Sequence, residues 1–245
     1  MRVPRFTVAT TALVLSLAAI GVTSCEVTGW NVPQPRKYVL VFVDASSSVR
    51  PEDLELYRTS FKAVSSKLGP GDKIELGLLS DSTLTRYIPQ VLEVLPDSER
   101  RLDQDRGMRA VRSKLAAAFP SAPGSAKKTK ILDALELAEQ RFAADTEPGR
   151  SERWLVLLSD MQEDSEDLNL ESRPPSDKNT EAFIKTRRDK HRLPSLPGVR
   201  VYVAGASSAT AQSFDAIKQF WMQYLAAAGA HCDTASYQRA PLRFD

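Results

Sequence analysis

The chain has 245 residues, of which 42% are hydrophobic and 26% charged. This composition excludes an intrinsically disordered chain and is sufficient for a folded domain with a substantial core. Lysine and arginine total 33 against 31 acidic residues, and two of the arginines lie in residues 1–24, which hold no acid. The remainder is therefore formally neutral, and it has no dense basic tract interleaved with aromatic residues, so nucleic acid is not expected as a partner.

The first 25 residues have the features of an export signal. Arg2 and Arg5 precede a mostly apolar stretch, residues 6–20, which is shorter than a typical membrane-spanning helix. The sequence VTSC, residues 22–25, resembles the lipobox of bacterial lipoproteins, in which cleavage precedes a cysteine that carries the lipid anchor. This resemblance implies a lipoprotein signal peptide over residues 1–24, and a lipidated Cys25 that begins a short tether, residues 25–37. The alternative is an ordinary cleaved signal with an incidental cysteine.

The chain contains two cysteines, Cys25 and Cys232. If Cys25 is acylated, no intramolecular disulfide can form, and Cys232 is then an odd thiol. The sequence His231-Cys232-Asp233 contains metal-binding residue types. A structural zinc site needs four ligands, however, and His191 is the one other histidine, so we do not expect zinc here.

From Tyr38 onward, apolar strand-like runs alternate with helical patterns, which is typical of a parallel sheet covered by helices. In chain order, the sequence predicts a strand over 38–43, a helix over 51–68, a strand over 73–79, an edge strand or hairpin over 84–94, a helix over 98–119, a helix after Thr129, a strand over 153–159, a helix near 180–190, a strand over 199–204 and a closing helix over 213–228. No internal repeat or second core is apparent. We therefore predict one doubly wound, mostly parallel and Rossmann-like α/β domain for residues 38–245.

Oxygen-bearing side chains are predicted at one edge of this sheet. Asp44, Ser46 and Ser48 follow the first strand, Thr129 precedes a helix, and Asp160 ends a later strand. In open parallel sheets, ligands bind beyond the carboxyl ends of the strands. Two carboxylates with neutral hydroxyls are the kind of ligands that a hard cation such as Mg²⁺ takes, with a position left for water or an outside group.

The sequence VFVDASSSV, residues 41–49, resembles the D-x-S-x-S motif that closes the first strand of von Willebrand factor type A domains, their metal-ion-dependent adhesion site. The second and third elements of that site are matched by Thr129 in KKTKILDALELA and by Asp160 in WLVLLSDMQED, in order and with suitable spacing over residues 38–228. The resemblance implies a site for Mg²⁺, with Mn²⁺ or Ca²⁺ as alternatives, and a protein partner that donates a carboxylate to the ion. Its ligands would be Asp44, Ser46, Ser48, Thr129 and Asp160.

The chain departs from the family pattern at two places. Met161 follows the aspartate where glycine is more usual, and Lys127-Lys128 replace glycines that commonly precede the threonine. An acidic run, residues 163–167, lies beside the site; it could tune the ion or repel acidic partners, although such runs commonly lie in solvated loops.

Each element of the motif also has a purely structural interpretation. Asp44 and the serines could cap the helix that begins at Pro51, Thr129 could cap the next helix, and Asp160 could form a turn.

The resemblance implies a membrane-anchored protein-binding module of a bacterial cell envelope, not an enzyme. One alternative is a metal-dependent phosphohydrolase, because Mg²⁺ at a strand-tip aspartate can also serve phosphoryl transfer. The other is a structural envelope lipoprotein with a vestigial metal site, whose contact surface would be the polar segment 161–198. The motifs of serine hydrolases, P-loop nucleotidases and zinc proteases do not occur in the sequence.

Overall fold

The computed structural model describes residues 35–81, 83–147, 149–170, 172 and 175–244. The predicted signal peptide, Cys25 and most of the tether lie outside these residues. The strands are β1 (Arg36–Asp44), β2 (Lys73–Leu79), β3 (Val91–Val94), β4 (Arg150–Leu158), β5 (Val199–Ala204) and β6 (Tyr237–Gln238). The helices are α1 (Pro51–Ser66), α2 (Arg101–Ala118), α3 (Ile131–Ala143), α4 (Asp177–Asp189) and α5 (Ala211–Ala227).

In the described part of the chain, the strands form one six-stranded sheet with the order β3-β2-β1-β4-β5-β6. All neighbouring strands are parallel except β2 and β3, which are antiparallel. From the central β1, the chain first builds one side of the sheet through β2 and β3, and then crosses to build the other side from β4. The predicted fold class, a doubly wound and mostly parallel α/β sheet, is confirmed.

Helices cover both faces of the sheet, because β1 is apolar on both of its faces. Successive side chains of a strand point to opposite faces. Tyr38, Leu40 and Phe42 therefore pack in one core with α3 and α5, and the valines between them pack in a second core with α1 and α2. This two-sided burial explains why β1 reads as a continuous apolar run rather than an alternating one.

Most predicted elements form close to their predicted bounds, and the exceptions have physical reasons. The segment 84–94 forms a strand only over Val91–Val94, at the edge of the sheet, after Pro89 has removed a backbone donor. Tyr87 instead lies across β2, where a side chain on Gly77 would come within 2.5 Å of its ring. Strand β6 was not predicted, because two residues carry no periodicity.

Residues 35–245 form one compact unit. Among the helices that the structure describes, none is long and apolar enough to cross a bilayer.

Candidate functional site

The candidate site lies at the carboxyl ends of β1 and β4, the two neighbouring strands between which the chain order reverses. Val43 of β1 is paired with Leu158 of β4, so both strands end at the same level. Asp44 is the last residue of β1, and Ser159 and Asp160 follow β4 directly. This is the switch point at which doubly wound sheets bind ligands.

Asp44 is almost fully buried, at 2% exposure, and donors from three segments of the chain hold its carboxylate. Its Oδ1 accepts a hydrogen bond from the Ser46 backbone N–H at 2.9 Å. Its Oδ2 accepts hydrogen bonds from the Thr129 hydroxyl at 3.0 Å and from the Ser159 hydroxyl at 3.3 Å. The orientation of this carboxylate is therefore fixed before any ligand binds.

The two motif serines lie side by side, as alternate residues of an extended turn should. The Oγ atoms of Ser46 and Ser48 are 3.0 Å apart; Ser46 is buried and Ser48 is exposed. Their loop is bound to the loop before Thr129, because Ser47 N–H donates to the Ala126 carbonyl at 2.8 Å and Gly124 N–H donates to the Ala45 carbonyl at 2.5 Å. A Cβ on Gly124 would lie 2.8 Å from that Ala45 oxygen, so this close approach requires glycine.

The capping interpretation of these residues fails at α1. The first turn of α1 is closed by Asp53, which accepts hydrogen bonds from the backbone N–H and the guanidinium of Arg50. In the described part of the chain, neither the Asp44 carboxylate nor the motif serine hydroxyls bond to the N-terminal amides of α1. Their polar groups are used at the sheet edge instead.

The capping interpretation also fails for Thr129, because α3 has a different cap. The first amides of α3, those of Ile131 and Leu132, donate to Glu163 Oε2 at 2.6 and 3.1 Å. The Thr129 hydroxyl donates across the sheet edge to Asp44 and leaves the helix end to Glu163. Of the two interpretations, the structure favours the one in which Thr129 belongs to the site around Asp44.

Asp160 forms a turn, as the structural interpretation of the motif predicted. Its Oδ1 accepts from the Gln162 backbone N–H at 2.9 Å and its Oδ2 from the Gln162 side-chain amide at 3.1 Å, while its carbonyl accepts from Ser207 N–H at 3.0 Å. These bonds fix the position of the carboxylate beside Ser159, whose hydroxyl contacts Asp44.

Tyr57 of α1 is buried within range of the charges of Asp44 and Asp160, and the sequence did not identify it as part of the site. Burial raises the pKa of its hydroxyl, and the negative charges of Asp44 and Asp160 raise it further. A Cβ on Gly205, at the end of β5, would overlap the Tyr57 ring, so glycine makes room for it. The tyrosine therefore stays uncharged near the two acids.

Met161 occupies a left-handed backbone conformation, with a φ of 65°. Glycine adopts this conformation without strain, which accounts for the glycine that is more usual here in the family pattern. The methionine is held by its surroundings, since its side chain is fully buried and its carbonyl accepts a hydrogen bond from Trp221 Nε1 at 2.9 Å. The backbone of this chain therefore keeps the turn although the residue differs.

The acidic run is not a freely solvated loop. Glu163 is fully buried at the start of α3, and burial raises its pKa to about 7, against the opposing effect of hydrogen bonds from Ser165 and the two α3 amides. Glu166 forms ion pairs with Lys128 and Lys130 at 3.4 and 3.5 Å. The solvated-loop interpretation was therefore wrong for Glu163.

The donor set at the sheet edge fits a hard divalent cation, because it consists of two carboxylates and three hydroxyls, all oxygen. The Thr129 hydroxyl donates its hydrogen to Asp44, so its lone pairs stay available to an ion. The described residues contain no group of three or more His, Cys, Asp or Glu side chains that could hold a metal. A site with only two carboxylates is of a different kind from such a group.

The segment around Cys232 has contacts of its own. His231 Nε2 lies 3.1 Å from Asp233 Oδ1. The Cys232 thiol is partly buried, and burial raises its pKa to about 12.

No protein-family model matches the sequence, and no curated protein matches it. Solved structures do match. The aerotolerance-related membrane protein of Bacteroides fragilis, with multiple mutations to serines, has 16% identity and a TM-score of 0.38 over 69% of this chain and 67% of its own. The manganese-loaded TRAP protein of Plasmodium vivax has 13% identity and a TM-score of 0.43 over 83% of this chain and 67% of its own.

A von Willebrand factor type A protein from Catenulispora acidiphila has 8% identity and a TM-score of 0.38 over 80% of this chain, which spans 38% of that protein. The present chain has a mostly parallel α/β sheet and carries the D-x-S-x-S motif at the carboxyl end of its first strand. In these features of its fold, the chain is similar to von Willebrand factor type A domains.

Proposed function

We propose that the chain is a lipid-anchored protein-binding module of the bacterial cell envelope, which holds a divalent cation at the sheet edge and binds a carboxylate of a partner protein through that ion. The observation that carries this proposal is the arrangement around Asp44, where hydroxyls from two separate loops converge on one buried carboxylate. Neither Thr129 nor Asp44 caps a helix, so helix capping does not account for their placement.

The ligands in this proposal are Asp44, Ser46, Ser48, Thr129 and Asp160. Asp44 Oδ2 already accepts two hydrogen bonds from the chain and Oδ1 accepts one, so this residue would reach the ion through Oδ1 or through water. Ser48 is exposed at the front, where an outside group can approach. Mg²⁺ is the ion we favour, with Mn²⁺ or Ca²⁺ as alternatives, and it would supply the positive charge that attracts the partner's carboxylate.

The first experiment is thermal unfolding of residues 35–245 in chelator and then in rising Mg²⁺ or Mn²⁺. An ion that binds only the folded state should raise its stability by about 2.7 kcal/mol at a hundredfold excess over Kd. Ser48→Ala and Asp160→Asn should abolish this rise. Ser47→Ala is the matched control, because Ser47 is an exposed neighbour outside the motif pattern. If no ion stabilises the wild-type domain, the metal site is refuted.

The second experiment tests the partner. We expect association with an envelope protein of the source organism that requires the ion and is lost in Ser48→Ala, with Ser47→Ala unaffected. Binding that persists undiminished in chelator would instead favour the structural lipoprotein with a vestigial site. Turnover of a phosphate ester that is lost in Asp44→Asn would favour the phosphohydrolase.

The third experiment tests the anchor, which depends on the sequence alone. Cells that express the full chain should incorporate labelled palmitate into it, and Cys25→Ser should remove the label. A wild-type chain without label would show an ordinary cleaved signal.

A further inference from the structure

The amino edge of the sheet lies opposite the candidate site. The C-terminal end of α1 and the N-terminal end of α2 lie at this edge. Val94, the last residue of the antiparallel β3, is paired with Lys73, the first residue of β2. The chain therefore leaves β3 at the amino edge and begins α2 there, at Arg101, while α1 arrives there at Ser66. The first strand also starts at this edge, so the tether enters the domain here.

The outer surface of α2 is basic and carries one exposed leucine. Leu102 is 79% exposed, and Arg109 lies two turns further along the same side of the helix. Arg101 and Arg112 are exposed beside them. Within the described residues, these three arginines have no acidic side chain in contact. Asp105 is exposed one turn from both Arg101 and Arg109, and Asp103, which is also exposed, lies 3.9 Å from Arg106.

A cavity of about 310 Å³ opens between α1 and α2. The apolar side chains of Phe61, Leu115 and Ala116 line this cavity. Two cationic residues, Lys62 and Arg112, also line it. In the part of the chain that the structure describes, Lys62 has no acidic partner. An apolar cavity with positively charged side chains fits an amphiphile that has an anionic head and a hydrocarbon tail.

In the described part of the chain, the cations of α1 that lack an acidic partner lie near its C-terminal end, at the amino edge of the sheet. Its acidic residues, Glu52, Asp53 and Glu55, lie in the first turns and form ion pairs with Arg50 and Arg58. Lys62 and Lys67, near its C-terminal end, form no ion pair within the described residues. Residues 35–245 hold 31 basic and 30 acidic side chains, so the basic surface is a local concentration and does not reflect net charge.

We propose that this surface, the α1–α2 face (Lys62, Lys67, Arg101, Leu102, Arg109 and Arg112), docks on an anionic phospholipid bilayer. The cations would contact lipid phosphates, Leu102 would enter the interface, and the cavity would take part of an acyl chain. This proposal rests on the lipid anchor of the proposed function. The eleven-residue step from Cys25 to Arg36 spans at most about 40 Å, so an anchored domain stays within reach of the bilayer.

The bilayer is a better fit than an acidic protein partner for two reasons. The exposed leucine and the cavity present apolar groups among cations that are spread over two helices, which suits a laterally continuous anionic surface with an apolar layer beneath it. The first strand also starts at this edge, so a domain docked through this face keeps the start of its described chain toward the bilayer. In this orientation the candidate metal site, at the opposite edge, faces away from the membrane and toward its partner.

The test is co-sedimentation of residues 35–245 with vesicles, in chelator, so that neither the anchor nor the metal contributes. We expect binding to phosphatidylcholine vesicles that contain phosphatidylglycerol, little binding to pure phosphatidylcholine, and weakening by added salt. Each basic residue near an anionic surface contributes about fivefold to binding, so Arg109→Glu with Arg112→Glu should weaken it at least about 25-fold. Leu102→Ser should weaken binding without a change in its salt dependence.

The matched control is Lys178→Glu with Arg188→Glu on α4, which makes the same change in net charge at exposed positions elsewhere. This variant should bind as the wild type does. Equal weakening in both double variants would overturn the proposal in favour of net charge alone. A wild-type domain that ignores the vesicles, or that binds soluble polyglutamate as well as it binds them, would also overturn it. The ion titration of the candidate site is unaffected by any of these results.

Discussion

The buried carboxyl of Glu163 should make the stability of the domain depend on pH near neutrality. Its pKa is about 7 in the folded chain against an ordinary value of 4.5, and burial is the main cause. Because the folded value is raised, folding favours the protonated form. The stabilisation is therefore complete below about pH 4.5 and is lost as the pH rises through 7.

The size of this effect follows from the shift of about 2.5 pKa units, which corresponds to about 3 kcal/mol. Glu163→Gln keeps the shape of the side chain and an oxygen that can accept from the Ile131 and Leu132 amides, but it cannot ionise. We expect the variant to match the wild type in free energy of unfolding near pH 4. At pH 8 the variant should be more stable by about 3 kcal/mol.

Urea unfolding of residues 35–245 in chelator, at several pH values between 4 and 8, measures this difference. The control is Glu166→Gln, because Glu166 is exposed and its pKa is lowered, chiefly by a backbone amide and by Lys128 and Lys130. The Glu166→Gln variant should lose stability relative to the wild type as the pH rises, which is opposite in sign to the effect of Glu163→Gln. If the Glu163→Gln difference stays constant between pH 4 and 8, or if that variant is the less stable one at pH 8, Glu163 is ionised and the reasoning from burial is refuted.

Three further predictions concern single positions. Met161→Gly and Met161→Ala both lose the buried contacts of the methionine side chain. In urea unfolding, the glycine variant should nevertheless be more stable than the alanine variant by about 1 kcal/mol, because the φ of 65° strains alanine. Gly124→Ala should weaken the Mg²⁺-dependent thermal shift, since its Cβ would push the loop away from Ala45; an unchanged titration would refute the coupling of these loops. Iodoacetamide should alkylate Cys232 at pH 8 about a thousandfold more slowly in the folded than in the urea-unfolded domain, because burial raises the thiol pKa to about 12; equal rates would contradict that burial.

The architecture could be predicted because its signals are local. Strands β2 and β5 formed at the predicted residues, since each is a short apolar run bounded by turn signals. The short β6 carries no such signal. Its position depends on a neighbour, β5, with which it pairs at Val203 and Ala204. Pairing of this kind is set by tertiary contacts that a two-residue pattern does not encode.

The surroundings of the candidate site could be predicted only in part. The motif residues were visible because they follow apolar runs. Ser159 was not singled out, although it lies between a buried strand and Asp160 and donates to Asp44. Glu163 stood in an acidic run that resembles any solvated loop, and only the approach of the α3 amides, 31 and 32 residues earlier in the chain, shows that it is a buried cap. Long-range contacts of this kind leave no periodic pattern in the sequence.

The division of labour between Glu163 and Thr129 connects the fold to the proposed function. A threonine before a helix normally has its hydroxyl drawn toward the first free amides of that helix. Here Glu163 takes the amides of Ile131 and Leu132, and the Thr129 hydroxyl is left to donate to Asp44. The buried glutamate thus costs stability above neutral pH, yet it releases the threonine for the sheet edge. If the glutamate has this positioning role, Glu163→Leu should weaken the Mg²⁺-dependent thermal shift, whereas Glu163→Gln, which can still accept from the α3 amides, should preserve it. Equal shifts in both variants would show that Thr129 keeps its place without a substitute cap.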